Sequence, residues 1–426
     1  MTFALGVLPV LLLALGFPVF LVLLTAAAVA LTMFMDVPLA ALHQTLYGSL
    51  DAYSLLAIPF FIYAGELMGR GSVARRLVAV VQAGAGNMRG SLGVTTVGAT
   101  AVFGAISGSS AATVATIGRV VLPEMRRAGY PVPFSAGLVT SVGAIGVIIP
   151  PSIPMIVYGA AAQESVPRLY AAGVFPGLLI AAMLALYVYV QARLQGFAPG
   201  EPSTLRNFMV AMKKGVWAMG APFIILGGIY GGVFSPTEAG GVACVYSALV
   251  TRIVYRDLSW RQVLKVAEAS AALTAQILII IACASVFSWL LTVNQVPVMV
   301  VGWLQGLELS SWMILLAMNV LLLVVGCFFD PLSAILLLSP LLVPIAQAAG
   351  VDGVHFGIIL TVNLAIGLFT PPFGLNIFVA QSVLKQSLGD IYRGTMPFFL
   401  IYLVALGLIT YIPQISMLGV QLLLRQ

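Results

Sequence analysis

Charge is what this chain has least of. Asp, Glu, Lys and Arg make up 8% of its 426 residues, against 61% hydrophobic residues and a mean hydropathy of +1.11. A water-soluble protein covers roughly a quarter or more of its surface with charged side chains, so a soluble fold is excluded. Histidine is scarcer still. His43 and His355 are the only two, and both fall at predicted external edges, where surface or interface positions are expected. With no His in mid-span and no acidic partner for Asp330 in a neighbouring apolar block, the dyads and metal sites of an intramembrane protease or lipid transferase are missing. Cys244, Cys283 and Cys327 lie in apolar stretches without metal-ligand spacing and read as small buried hydrophobes, with no disulfide and no metal. No Gly-x4-Gly-Lys-[Ser/Thr] run occurs, which removes the phosphate loop of a nucleotide-driven machine. The longest polar stretch, roughly 193–214, is only loop-sized, so no separate soluble domain is expected. The apolar N-terminus lacks a basic start and runs on too long for a signal peptide.

What is present is a series of apolar runs. A membrane span needs about 20 apolar residues, and candidates occur at 3–33, 52–69, 171–192, 215–234, 238–251, 268–293 and 395–415. The chain therefore reads as an all-α polytopic membrane protein. The sequence pI of about 9.3 would suit a nucleic-acid binder, but basic residues concentrated in short loops are better explained by membrane topology. The 3–33 run allows one tilted span or two short ones joined near Gly16-Phe17-Pro18. Length favours one and repeat symmetry favours two.

That symmetry is the main signal. Gly146-Val-Ile-Ile-Pro150-Pro151 recurs 221 residues later as Gly367-Leu-Phe-Thr-Pro371-Pro372, and the register continues without a gap on both sides. Upstream it pairs Pro123 with Pro344, Gly129 with Gly350, Thr140 with Thr361 and Ala144 with Ala365; downstream, Ile156 with Ile377, Gly173 with Gly394 and Pro176 with Pro397. Gly and Pro dictate backbone shape, so two copies of one helix-breaking unit in an apolar chain point to a secondary transporter built from internal repeats, here 1–192 and 193–426. Each half holds one apolar block with a polar tip, roughly 91–122 and 312–343, and one Pro-Pro-broken helix, roughly 134–163 and 355–384.

Loop charge orients these blocks. Arg70, Arg75, Arg76 and Arg89 precede the first block; Arg119, Arg126 and Arg127 follow its tip. By the positive-inside rule both flanks are cytoplasmic, so the block enters and returns as a re-entrant hairpin. Residues 294–311 and 344–355 contain no Lys or Arg, so the second hairpin is expected to enter from the other face. Of the 19 basic residues, all but Arg168 and Arg425 then fall inside. The two halves form inverted-topology repeats.

In hydrocarbon, carbonyls freed by a Pro-Pro break are tolerable only inside protein or along a water-filled site. There, unwound carbonyls and helix C-termini bind Na⁺ and helix N-termini attract anions. One expected Na⁺ site combines Ser107, Gly108, Ser109 and Ser110 with backbone around Gly143, Gly146, Ile149 and Pro150. The other combines Gly326, Phe329 and Asp330 with Gly367, Thr370 and Pro371. Carbonyls, hydroxyls and one carboxylate suit a hard cation; no other metal and no cofactor is called for. Ser109, Ser110, Ser152, Asn363 and Asn376 are candidate substrate contacts, the two Asn residues alternatively tying the second break. The plainer readings are that the Ser and Gly residues permit close helix packing and that Asp330, just before Pro331, caps the returning helix. Glu66, at the end of the 52–69 span, reads as an interface anchor.

Five stretches carry a family resemblance: Ile58-Pro-Phe-Phe-Ile-Tyr-Ala-Gly-Glu66-Leu-Met68, Ser107-Gly-Ser-Ser-Ala-Ala-Thr-Val-Ala-Thr-Ile-Gly118, Gly146-Val-Ile-Ile-Pro-Pro-Ser-Ile-Pro154, Phe234-Ser-Pro-Thr-Glu238-Ala239 and Gly367-Leu-Phe-Thr-Pro-Pro-Phe-Gly-Leu-Asn376. In these, and in order over nearly its whole length, the chain resembles the large membrane subunit of tripartite ATP-independent periplasmic (TRAP) transporters, with Ser235 standing where Thr is expected. The resemblance implies an elevator-type member of the ion-transporter superfamily in the bacterial inner membrane, coupled to Na⁺, with substrate between the hairpin tips. It also implies two partners, a small four-helix membrane subunit and a periplasmic solute-binding protein, and a small organic acid as substrate. A self-contained Na⁺/dicarboxylate symporter of related architecture is the alternative.

Overall fold

The computed structural model is helical throughout and describes every residue except 2, 36, 38, 198, 201–203, 307, 425 and 426. Arg425, expected on the external side, lies outside the described residues. Six described helices are long and apolar enough to cross a bilayer, and eight spans result if each of two bent pairs counts as one. The longest are Val166–Leu194, Leu205–Tyr230 and Trp260–Val293, about 39 to 51 Å at 1.5 Å per residue. The polytopic all-helical expectation is met.

Breakers act where the sequence places them. The 3–33 run is two helical pieces, Phe3–Ala14 and Val19–Phe34, parted at Gly16, which adopts φ +82°, and Pro18. The first polar-tipped block is a helical hairpin of Ser91–Ser107 and Ser110–Arg127. Its turn is made by Gly108 at φ +58°, a left-handed conformation that costs glycine nothing, and by Ser109, whose hydroxyl accepts from the Ala112 N–H at 3.5 Å as the N-cap of the returning helix. The second hairpin joins Ser311–Phe328 to Pro331–Ala348. There the turn is extended at Phe329, Asp330 is the N-cap and Pro331 is the first helical residue, where its missing N–H costs nothing.

The two broken helices run Val132–Val142, Ile145–Ile148 and Ile153–Ala162 in the first half, and Gly353–Gly367 and Leu375–Ser382 in the second. The Pro150–Pro151 and Pro371–Pro372 bonds are both cis. At the 221-residue offset the hairpin boundaries and the outer and Pro-Pro boundaries of the broken helices coincide to within two residues, the extra interruption at 143–144 having no counterpart in Gly353–Gly367, so the sequence register is also a register of backbone shape.

A glycine–glycine contact holds each hairpin on its own broken helix. A Cβ on Gly104 would lie 2.5 Å from the Gly146 Cα, and one on Gly367 would overlap the Gly326 carbonyl. Only bare backbone lets these helices approach so closely.

Loops assigned to one side by charge also touch one another. Ser72 meets Asp257, Arg76 reaches the Lys214 carbonyl, Arg89 bridges to Pro199, and Arg126 donates to Gln386. At the other end Tyr158 donates to the Gly353 carbonyl and Glu164 packs on Gly353.

Candidate substrate and ion site

The tips of both hairpins line one cavity of about 500 Å³. Ser107 to Ala112 form one wall and Asp330 to Leu332 another. Ile62, Glu66, Leu273, Gln276 and Ile277, from the helices Ala57–Arg70 and Trp260–Val293, face them. The wall is mainly apolar with a few polar groups, the usual make-up of a small-molecule site of this volume. Two 18-residue helices, Ser110–Arg127 and Pro331–Ala348, begin at the cavity. Both N-termini point partial positive charge at the same place, but the second is already capped by the Asp330 carboxylate, while the first is capped only by the neutral Ser109 hydroxyl. A larger cavity of about 650 Å³, bordered by Gln82, Glu124 and Arg127, contains neither tip nor either Pro-Pro break.

Around the first break, the expected residues converge. Gly104 abuts Gly146, Gly108 faces the Pro151 carbonyl, and Gly143 faces the Ser110 carbonyl and the Asn376 amide. Ile149 is buried, closing the helix before the break by donating to the Ile145 carbonyl at 2.9 Å. The Ser107 hydroxyl is the informative atom: Ser107 is 2% exposed and its Oγ has no hydrogen-bond partner. A buried, unpaired oxygen on the wall of a cavity is costly unless something else pairs with it. The Ser109 carbonyl, by contrast, accepts from Thr113 Oγ1 at 2.7 Å.

Around the second break, Gly326 and Gly367 are in contact, Phe329 is half-buried, and Asp330 accepts from the Leu332 and Ser333 N–H groups at 3.1 and 3.0 Å through one carboxylate oxygen. Asp330 is thus the helix cap that the plainer reading expects, and the residue also lines the cavity. Thr370 and Pro371 do not line the cavity. The Thr370 hydroxyl donates to the Ile366 carbonyl at 2.7 Å, and the Thr370 carbonyl accepts from Gly374 N–H at 3.2 Å.

The candidate substrate contacts divide. Ser109 and Ser110 line the cavity. Asn376 instead ties the two halves together, its buried amide bonded to Ser110 Oγ (2.8 and 3.0 Å) and to the Thr140 carbonyl (3.1 Å). Ser152 is buried behind the break, capping Ile153–Ala162 and donating to the Val147 carbonyl. Asn363 sits off the cavity, bonded to Asn319 Oδ1 at 2.7 Å and to the Ile359 carbonyl at 2.8 Å.

Two expectations need correction. His355 is not at a surface: it is 2% exposed, with Nε2 3.3 Å from the Thr410 carbonyl, because the helix Gly353–Gly367 is packed on all sides. Glu66 is not simply an interface anchor. It lines the cavity while forming an i,i+4 ion pair with Arg70 at 3.3 Å. Its signal was a single acid inside an otherwise apolar span. Gln276 was missed entirely, since nothing about one Gln in a 34-residue helix marks it.

Comparison with known proteins fits this arrangement. Residues 6–415 match the family model described as the DctM component of the tripartite ATP-independent periplasmic transporters. The chain belongs to this family. Similar proteins include a C4-dicarboxylate TRAP transporter large permease protein DctM of Pseudomonas aeruginosa, 43% identical over 92% of each chain. An ectoine/5-hydroxyectoine large permease protein, UehC, of Ruegeria pomeroyi is 37% identical over 96% of each. A 2,3-diketo-L-gulonate large permease protein, YiaN, of Escherichia coli is 36% identical over 95% of each. The protein is a transporter permease of the inner membrane and not an enzyme.

Proposed function

We propose that this permease carries a small organic acid across the inner membrane by Na⁺-coupled secondary uptake, accepting it from a periplasmic binding protein and working with a small four-helix membrane subunit. The observation that carries this reading is the single 500 Å³ cavity into which both hairpin tips project. The N-terminus of Ser110–Arg127, capped by the neutral Ser109, offers an anion fixed partial positive charge, while the Ser107 hydroxyl and the Asp330 carboxylate offer oxygen to Na⁺. The relatives named for C4-dicarboxylate, ectoine and 2,3-diketo-L-gulonate transport support a small polar substrate bearing carboxylate.

The inverted-repeat and elevator part of the reading has its own support. Each hairpin arm is 17 or 18 residues long, so by length alone the arms could cross the bilayer. Two tips meeting in one cavity, with loops of like predicted sidedness in contact, favour hairpins that enter from opposite faces and turn inside. The hairpins with their broken helices then form the moving body. Ala57–Arg70 and Trp260–Val293 stand opposite as the wall it moves against.

Uptake of labelled dicarboxylate, ectoine and 2-oxo acid by proteoliposomes containing both membrane subunits is the test. Uptake that needs an inward Na⁺ gradient and the cognate binding protein is expected. Uptake unaffected by replacing Na⁺ with choline would overturn the coupling, and uptake by the lone chain without binding protein would make it a self-contained symporter. Single cysteines at positions 75 and 349 are expected to label from opposite faces; labelling from one face would end the inverted repeat.

A further inference from the structure

We infer that the permease holds an anionic phospholipid headgroup in a second cavity, on the face predicted to be cytoplasmic. This cavity, about 390 Å³, is formed where three chain segments meet and is lined by Arg75, Arg76, Lys214, Ser72 and Asp257. It lies apart from the transport cavity and shares none of its residues.

Three cations face one acid, and the acid is already engaged. Asp257 accepts from the Ser72 N–H at 2.6 Å and the Ser72 hydroxyl at 2.7 Å, both through one oxygen. Arg76 is held in place: it donates to Ser72 Oγ at 3.0 Å and to the Lys214 carbonyl at 3.3 Å, and its guanidinium lies 3.9 Å over the Tyr255 ring. The Arg75 guanidinium and the Lys214 ammonium are exposed and, among the described residues, have no hydrogen-bond or ion-pair partner. The result is a rigid guanidinium flanked by two free cations in a concave site, suited to the oxygens of a phosphate.

The surroundings favour a lipid over a soluble anion. The helix that carries Lys214, Leu205–Tyr230, leaves Met209, Val210, Val216 and Trp217 exposed, each by 48% or more. Trp217 stands one turn from Lys214, the position of an interfacial anchor. A phosphate in the cavity would leave its acyl chains against this apolar face, and basic pockets of this kind attract anionic headgroups.

Native mass spectrometry of the purified full-length permease tests the assignment, using phosphatidylglycerol and phosphatidylcholine of matched chains, and inorganic phosphate as competitor. Wild type is expected to retain phosphatidylglycerol in preference, and the double variant Arg75→Gln/Lys214→Gln to lose about twenty- to thirtyfold of that preference. A control removing two charges elsewhere on the same face, Arg261→Gln/Lys265→Gln, should keep it. No preference in wild type, or an equal loss in the control, would overturn the site, and displacement by millimolar inorganic phosphate would show that it takes free phosphate and not lipid.

Discussion

Ser107→Ala separates a packing serine from an ion ligand, because the structure assigns the two roles opposite signs. The Ser107 hydroxyl is buried and unpaired, and leaving such a group without a partner costs about 1–3 kcal/mol. Without Na⁺, removing it should leave stability unchanged or raise it. With Na⁺ bound, the same oxygen is one ligand among several, and losing it should weaken Na⁺ affinity about tenfold, or about 1.4 kcal/mol. At a Na⁺ concentration 100 times the wild-type dissociation constant, the stabilisation by Na⁺ should therefore fall from about 2.7 to about 1.4 kcal/mol. The assay is thermal unfolding of the purified permease in detergent, exchanging NaCl for choline chloride at constant ionic strength. Ser152→Ala serves as contrast, since its hydroxyl is fully used within the break and its loss should destabilise with or without Na⁺. If Ser107→Ala behaved like Ser152→Ala, or kept the wild-type response to Na⁺, the hydroxyl would not be an ion ligand.

Three further outcomes follow from the same contacts. Gly367→Ala drives a methyl into the Gly326 carbonyl and should cost about 1–3 kcal/mol in detergent stability with loss of uptake, whereas Gly407→Ala, with open space around it, should be silent. Asn376→Ala cuts the buried link from the second broken helix to Ser110 and Thr140 and should cost about 1–3 kcal/mol, read as a lowered unfolding temperature. Burial and the neighbouring Asp352 raise the Glu164 carboxyl above its ordinary value, with Arg168 opposing. The folded state then binds the proton more tightly than the unfolded chain, so stability should fall as pH rises through the range just above the ordinary carboxylate value. Glu164→Gln should flatten that part of the pH–stability profile, and an unchanged slope would remove Glu164 as its source.

Much of this protein was decided by sequence alone, for a physical reason. In a bilayer the backbone must satisfy itself, so an apolar chain of this kind forms helices, and Gly and Pro are the residues that most readily interrupt them. The positions of those two residues therefore located the hairpin tip at Gly108 and the breaks at Pro150-Pro151 and Pro371-Pro372, whereas the 3–33 run stayed open between one span and two and was parted at Gly16 and Pro18 only by the structure. The same scarcity of charge made loop arginines informative about sidedness. Tertiary structure decided what lies between elements distant in the chain. Asn376 read either as a substrate contact or as a tie within the second break, and it is a strut to Ser110, 266 residues away, because pairing a buried amide depends on what the opposite helix offers. Asn363 and His355 proved interior for the same reason. Glu66 and Gln276 face the hairpin tips only because their helices pack across from them. Periodicity and composition show which helices form; which faces meet is settled by packing.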